Sequence, residues 1–301
     1  MNRLTKACVL VLAIGAVGAS GGTTTQDDWE SVQIETVSVR DGLYMLTGRG
    51  GNIGLSVGKD GTFLIDDQYA PLTEKIEAAI RKVTPDAVRF LVNTHWHGDH
   101  TGGNENFGKK GSIVVAHQNV RKRMSVEQVR EILRTDPIPA SPPEALPRIT
   151  FTDEVTFHWN GDAIRAFHVP AAHTDGDVIL HFEKADVFHT GDAIVNGRYP
   201  FIDVDSGGNL KGIIAAADKV LSLAKPTTRI IPGHGALASP DDVRAYRDML
   251  VTARDRIQKL VGQGKSADEV VAAKPTADLD AKWGEQSERF VRGAYHSLRA
   301  R

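Results

Sequence analysis

The chain is almost without cysteine. Its only one, Cys8, lies in an apolar segment near the N-terminus, so the rest has no disulfide, thiolate ligand or cysteine nucleophile. A charge bias is missing too: 36 Lys and Arg stand against 38 Asp and Glu, a formal net charge of −2. That excludes the broadly basic surface needed to neutralise phosphates, and nucleic acid is not an expected partner. Low-complexity tracts are absent. With 41% hydrophobic and 25% charged residues over 301 positions, the composition is that of a soluble globular protein able to bury a substantial core. No uncharged apolar run reaches the roughly 20 residues that a membrane span needs. The stretch "ACVLVLAIGAVGAS" (7–20) is shorter, follows Arg3 and Lys6, and ends in small residues. This is the pattern of a secretory signal peptide over residues 1–20, cleaved after Ala19 or Ser20. The expected product is periplasmic or secreted, with no stable membrane association after cleavage.

What is present begins with β-type segments. "SVQIETVSVRDGLYMLTG" (31–48) reads as strand, turn at Asp41-Gly42, strand, and 51–67 repeats the pattern with a turn at Lys59-Asp60-Gly61. "PLTEKIEAAIRKV" (71–83) has apolar residues at helical spacing behind Pro71. Strands follow at 87–92 and 112–117, then a helix is expected from 118 to about 134. "RTDPIPASPPEALP" (134–147), with five prolines, reads as a loop. Strands are expected again at 154–160, 163–170, 177–184, 186–192 and 228–231, with a helix at about 209–224 and a mostly helical portion at about 241–298. A β-rich stretch with helices thus occurs twice. Two similar sheet-and-helix halves packed as layers make an α/β sandwich, one domain over 21–301.

The chemistry sits at strand ends. Strand 87–92 runs into "NTHWHGDHTGG" (93–103), which holds His95, His97, Asp99 and His100. Three more expected strands end beside Gly or Pro in a ligand-type residue: "VPAAHTDG" offers His173, "HTGD" offers Asp192 and "IPGHG" offers His234. Strand ends along one sheet edge share a face, and glycines there admit close backbone approach. His95 and His97, two apart, leave an extended segment on the same side, and Gly98 allows a turn that re-aims Asp99 and His100. Imidazole and carboxylate suit zinc. Seven such ligands exceed one tetrahedral ion, but serve two ions about 3.5–4 Å apart that share a carboxylate. The other histidines, His117, His158, His168, His181, His189 and His296, alternate within strands or sit on a helix, and packing or surface roles are expected for them.

At these residues the chain resembles the metallo-β-lactamase superfamily. "HWHGDH" (95–100) matches its His-x-His-x-Asp-His motif, and the later His, Asp and His fall in the family's order between about residues 33 and 250. The resemblance implies a four-layer αββα fold with a dinuclear site, usually zinc, with iron or manganese as alternatives. It places His95, His97 and His173 on a first ion, Asp99, His100 and His234 on a second, and Asp192 on both, with Asp99 also orienting the attacking hydroxide. Subclass B1 β-lactamases carry cysteine at the Asp192 position and lack the second His of the Asp-His pair, and subclass B3 enzymes typically lack the bridging aspartate. The set here is that of glyoxalase II-like thioesterases and lactonases, whereas "AAHTDGDVILHF" (171–182) and the expected export are β-lactamase-like. The implied activity is hydrolysis of an ester, thioester, lactone or amide in a small-molecule substrate. Alternatives are β-lactam hydrolysis, a mononuclear iron enzyme like the persulfide dioxygenases, and a non-enzymatic metal-binding protein. Asn209 or Lys211 could meet a substrate carboxylate, although Asn209 suits a helix cap better. Residues 41–52 could form a mobile hairpin over the site.

Overall fold

Gly42, at φ +69°, closes a tight turn between β1 (Glu35–Arg40) and β2 (Leu43–Thr47) and starts a meander. It continues antiparallel through β3 (Ile53–Ser56) and β4 (Thr62–Ile65). The computed structural model describes residues 28–132, 135–284 and 286–299. The expected signal segment and Cys8 lie outside the described residues. From Val32 onward the chain is one compact unit.

After β4 the connection changes. Helix α1 (Thr73–Arg81) buries Ile76, Ala79 and Ile80, the stripe that its spacing predicts, and crosses over to β5 (Val88–Val92), parallel to β4. Short helices α2 (Gly98–Thr101) and α3 (Asn104–Lys109) lead to β6 (Ile113–His117), again parallel. The helix expected over 118–134 is only α4 (Gln118–Met124). Beyond it the Gln128 side chain donates to the carbonyls of Arg123 and Val126 and turns the chain. A hairpin of β7 (Gln128–Arg130) and β8 (Thr135–Ile138) follows. Val126, Val129 and Ile132, within the span expected to be helical, are exposed. Pro137, in the stretch read as loop, is tolerated because both strands of a two-stranded ribbon are edges. Strand β9 (Ile149–Phe151) then joins β6, completing a seven-stranded sheet ordered β1-β2-β3-β4-β5-β6-β9.

The second sheet is an antiparallel run of β10 (Glu154–Trp159), β11 (Asp162–His168), β12 (Val178–Phe182) and β13 (Val187–His189), with β14 (Arg229–Ile231) parallel to β13. Helix α5 (Leu210–Leu223) lies in the crossover to β14. The expected helical portion consists of α6 (Pro240–Gly262), α7 (Ala267–Ala272), α8 (Asp280–Trp283) and α9 (Ser287–Arg299). A capping box fixes the start of α6: Ser239 accepts from the Asp242 backbone while Asp242 accepts from that of Ser239. None of the described helices is long and apolar enough to cross a membrane.

Alternation along the strands builds two cores. Met45, Phe63, Val92 and Val115 of the first sheet meet Ile164, Val178, Leu180 and Val187 of the second. The other face of the second sheet, with Phe167, Ile179 and Ile230, meets Ala217, Leu250 and Phe290 of α5, α6 and α9. Each fully buried large apolar side chain contributes about 1.5–3 kcal/mol. With α3 and α4 against the first sheet, the order is helix, sheet, sheet, helix, the α/β sandwich expected. The C-terminal ends of β5, β13 and β14 and the segment after β11 therefore open on one rim.

Candidate metal centre

All seven side chains singled out in the sequence meet at this rim. Ligand atoms of His95, His97 and His173 lie within 4.8 Å of one another, as do those of Asp99, His100 and His234, and those of His95, His100 and Asp192. Asp192 thus stands with one member of each trio. Its Oδ2 is 3.3 Å from His234 Nε2 and 3.7 Å from His173 Nε2, while Oδ1 is 3.2 Å from His100 Nε2.

Four of the five imidazoles are held from behind. Thr94 Oγ1 lies 3.1 Å from His95 Nδ1, Asp203 Oδ2 is 2.7 Å from His97 Nε2, and Asp66 Oδ2 is 2.7 Å from His100 Nδ1. The Phe201 carbonyl accepts from His173 Nδ1 at 2.8 Å. An outer hydrogen bond of this kind fixes the ring and its tautomer and leaves the inner nitrogen for a metal. The inner nitrogens then crowd together: His173 Nε2 is 2.8 Å from His97 Nδ1, and His100 Nε2 is 3.5 Å from His234 Nε2. The inner Nε2 of His95 is buried with no hydrogen-bond partner. Burying an unpaired polar atom is costly, and a cation is what this donor set suits.

The local backbone is shaped for this approach. A Cβ at Gly51 would overlap the His100 ring, and one at Gly233 would overlap the Asp192 carboxylate. The Gly51 N–H donates to the Asp99 carbonyl, and the Asn52 N–H to that of Gly233. Residues 41–52 form strand β2 and the loop of its antiparallel hairpin with β3, and that loop packs against Asp99 and His100. Asp66, at φ +60°, sits in a region that non-glycine residues rarely adopt. Its carboxylate accepts from the Thr94 N–H and hydroxyl at 2.8 and 2.7 Å as well as meeting His100, contacts that hold the strained conformation.

Charge divides the cluster. Burial, then the neighbouring imidazoles, push His95 well below its ordinary pKa, and burial takes His97 down to about 4 against the pull of Asp203. Burial also opposes charge on His100, but Asp99, Asp192 and Asp66 together raise it well above its usual value. At His234 the same contest, against Asp192 and Asp99, ends at about 9. Burial would raise the carboxyls of Asp99 and Asp192, yet these two histidines hold both below the usual range. The carboxylates thus favour positive charge at the Asp99–His100–His234 end.

A cavity of about 420 Å³ opens over the cluster and exposes His97, Asp99, Asp192 and His234 to it. Asn209 and Lys211 are not part of its wall. Asn209 caps α5, accepting from the Lys211 N–H at 2.8 Å and donating to the Ser297 carbonyl. Sequence reasoning passed over Asp66, although "LIDD" (64–67) at a strand end carried the same signal as the ligand segments. It also passed over Asp203, inside an unremarkable loop. His117, His158, His168, His181, His189 and His296 stay outside the three ligand groups found among the described residues.

Comparisons with known proteins point to a family. The family description "Metallo-beta-lactamase superfamily" matches residues 46–234. A lactamase-like protein of Emericella nidulans is 25% identical over 53% of this chain, which spans 43% of that protein's length. A metallo-beta-lactamase type 2 of Bacteroides fragilis is 22% identical over 60% of this chain and 70% of its own. Among solved structures, a stereoselective inverting sec-alkylsulfatase from Pseudomonas sp. superposes with a TM-score of 0.64 at 20% identity, covering 87% of this chain and 50% of that one. At that identity the likeness speaks for the fold alone. The match across the two sheets and through His234, the last residue of the cluster, shows that the chain belongs to the metallo-beta-lactamase superfamily.

Proposed function

We propose that the protein is a dinuclear, zinc-dependent hydrolase of an ester, thioester, lactone or amide bond in a small molecule, acting in the periplasm or outside the cell. The observation that carries this reading is the position of Asp192, which has one oxygen toward His100 and the other toward His234 and His173. His95, His97 and His173 would hold one ion, Asp99, His100 and His234 the other, and Asp192 both. Bound divalent ions of this kind lower the pKa of water to roughly 7 and polarise a carbonyl oxygen.

The chain's own groups do the rest. Asp203, Asp66 and the Phe201 carbonyl fix the rings, so little reorganisation is left for the reaction. Asp99, on the cavity wall and kept ionised by His100 and His234, orients the attacking water and can take its proton at a carboxylate oxygen. Having Asp192 where B1 enzymes have cysteine, beside a complete Asp99-His100 pair, favours the thioesterase- and lactonase-like reading. The alignment over 70% of the Bacteroides fragilis β-lactamase supports β-lactam hydrolysis as the second reading.

The test is metal analysis of purified protein together with thioester, lactone, ester and β-lactam substrates. Two equivalents of zinc and turnover of one carbonyl class are expected, with turnover abolished in folded Asp99→Ala and His97→Ala. Full activity in either variant, or one iron with oxygen uptake, would overturn the reading.

A further inference from the structure

We propose that the substrate carries an oxyanion (a carboxylate, sulfate or phosphate group) received by Arg130 and Arg289 on the cavity wall beside His97. The inference rests on the hydrolase reading and narrows its substrate class.

Three arginines, Arg130, Arg198 and Arg289, line the cavity over the cluster, in a chain whose formal net charge is −2. They come from separate places: Arg130 ends β7, Arg289 lies on α9, and Arg198 follows Asp192 in the loop before α5. Arg130 is anchored on Trp96, its guanidinium carbon 5.0 Å from the ring centroid. A nitrogen of it reaches within 3.6 Å of Asp203 Oδ2. That carboxylate is already committed, at 2.7 Å to His97 Nε2 and at 3.1 Å to the Ser206 N–H. The Arg130 Nε is buried and has no hydrogen-bond partner. Arg289 is anchored in the same manner, 3.8 Å over Phe201, whose ring centroid is 5.9 Å from that of His97 and 5.7 Å from that of His173.

Stacking uses the face of a guanidinium and leaves its edge N–H groups for an acceptor. Among the described residues, no carboxylate forms an ion pair with Arg198 or Arg289. Burial and then the charge of Arg130 lower the pKa of the Arg289 guanidinium, so the two like charges stand close enough to repel. Two anchored, mutually repelling forks with spare donors form a receptor for a planar or tetrahedral oxyanion. Its place is set by the rings: Arg289 stacks on Phe201, which itself lies against His97 and His173, so the anion is received beside the metal-binding residues. The cavity, about 420 Å³ in volume, has room for a small molecule.

The test uses the metal-loaded full chain and a matched ester pair, neutral 4-nitrophenyl butyrate and mono-4-nitrophenyl glutarate. The charged ester is expected to have kcat/KM higher by about 10–100-fold, a preference that shrinks as salt is added. Arg289→Gln, on the solvent-reaching side of α9, and Arg130→Gln should each remove most of that ratio, and Arg289→Lys should restore part of it. In parallel, calorimetry with glutarate, sodium sulfate and inorganic phosphate reads binding without turnover. Weaker binding in Arg289→Gln is expected, and the tightest of the three identifies the anion. If neither ester, nor any thioester, lactone or β-lactam of the panel above, reacts but an anion binds in an Arg289-dependent way, the hydrolase reading falls and the receptor stands. A ratio near one in the wild type, or anion binding that is absent or indifferent to both arginines, overturns the proposal.

Discussion

The two ends of the cluster share ligand types but differ in electrostatics. The His95–His97–His173 end is all imidazole and buried, and burial and neighbouring histidines hold His95 and His97 toward the neutral form. At the Asp99–His100–His234 end, carboxylates outweigh the same burial, and Asp99 and His234 remain 23% and 19% exposed at the side chain. The first end offers imidazole nitrogens, with only His97 reaching the cavity; the second offers negative charge toward it. We read the difference as a division of labour, with one position built to retain an ion and the other to meet the substrate. On that reading Asp192, between them, is the residue on which both would depend.

The largest effect should therefore come from the shared residue. Asp192→Ala is expected to lower hydrolysis on the order of 10³-fold or more, beyond the roughly 10–100-fold typical of outer hydrogen-bond partners, and to reduce bound metal below two equivalents. Metal analysis and steady-state rates check this together. Next come the outer carboxylates, one for each end. Asp203→Asn should weaken the ion at the all-imidazole end, and Asp66→Asn the ion at the carboxylate end, each by about 10–100-fold in affinity. Chelator competition, following the loss of each equivalent, would show two distinct losses. A single shared loss would dissolve the comparison.

These outer carboxylates also mark what the sequence made legible and what it did not. His95, His97, Asp99 and His100 stood out because uncommon ligand types crowd into six positions after an apolar strand. His173, Asp192 and His234 stood out because each follows an expected strand beside Gly or Pro. Asp203 and Arg130 act across the fold: Asp203 reaches a histidine 106 positions away, and nothing local separates it from other aspartates. The β7–β8 hairpin escaped for a related reason. Val126, Val129 and Ile132 fit a helical stripe, but side-chain hydrogen bonds from Gln128 ended the helix and left them exposed. The layered fold itself was legible, because alternation and helical spacing are local properties.

Smaller effects sharpen the comparison further. Gly51→Ala would press a methyl group on the His100 ring, with an expected loss of about 1–3 kcal/mol in stability and a weaker ion at the carboxylate end only. Thermal unfolding with and without added zinc reads both. The smallest effect expected is at Ser239, the cap of α6. Ser239→Ala should cost about 1 kcal/mol in denaturant titration and leave metal content and kcat unchanged. A change in metal content there would mean that the cluster is coupled to the C-terminal helices.

On the proposed function, this rim holds two ions in unequal settings with Asp192 between them. Anomalous diffraction at the zinc edge from crystals of the metal-loaded protein tests it most directly. Two peaks are predicted, one enclosed by His95, His97 and His173 and one by Asp99, His100 and His234, both contacting Asp192. On brief chelation the second peak should fade first. A single peak on the three histidines with Asp192 turned away, or two peaks lost together, would contradict it.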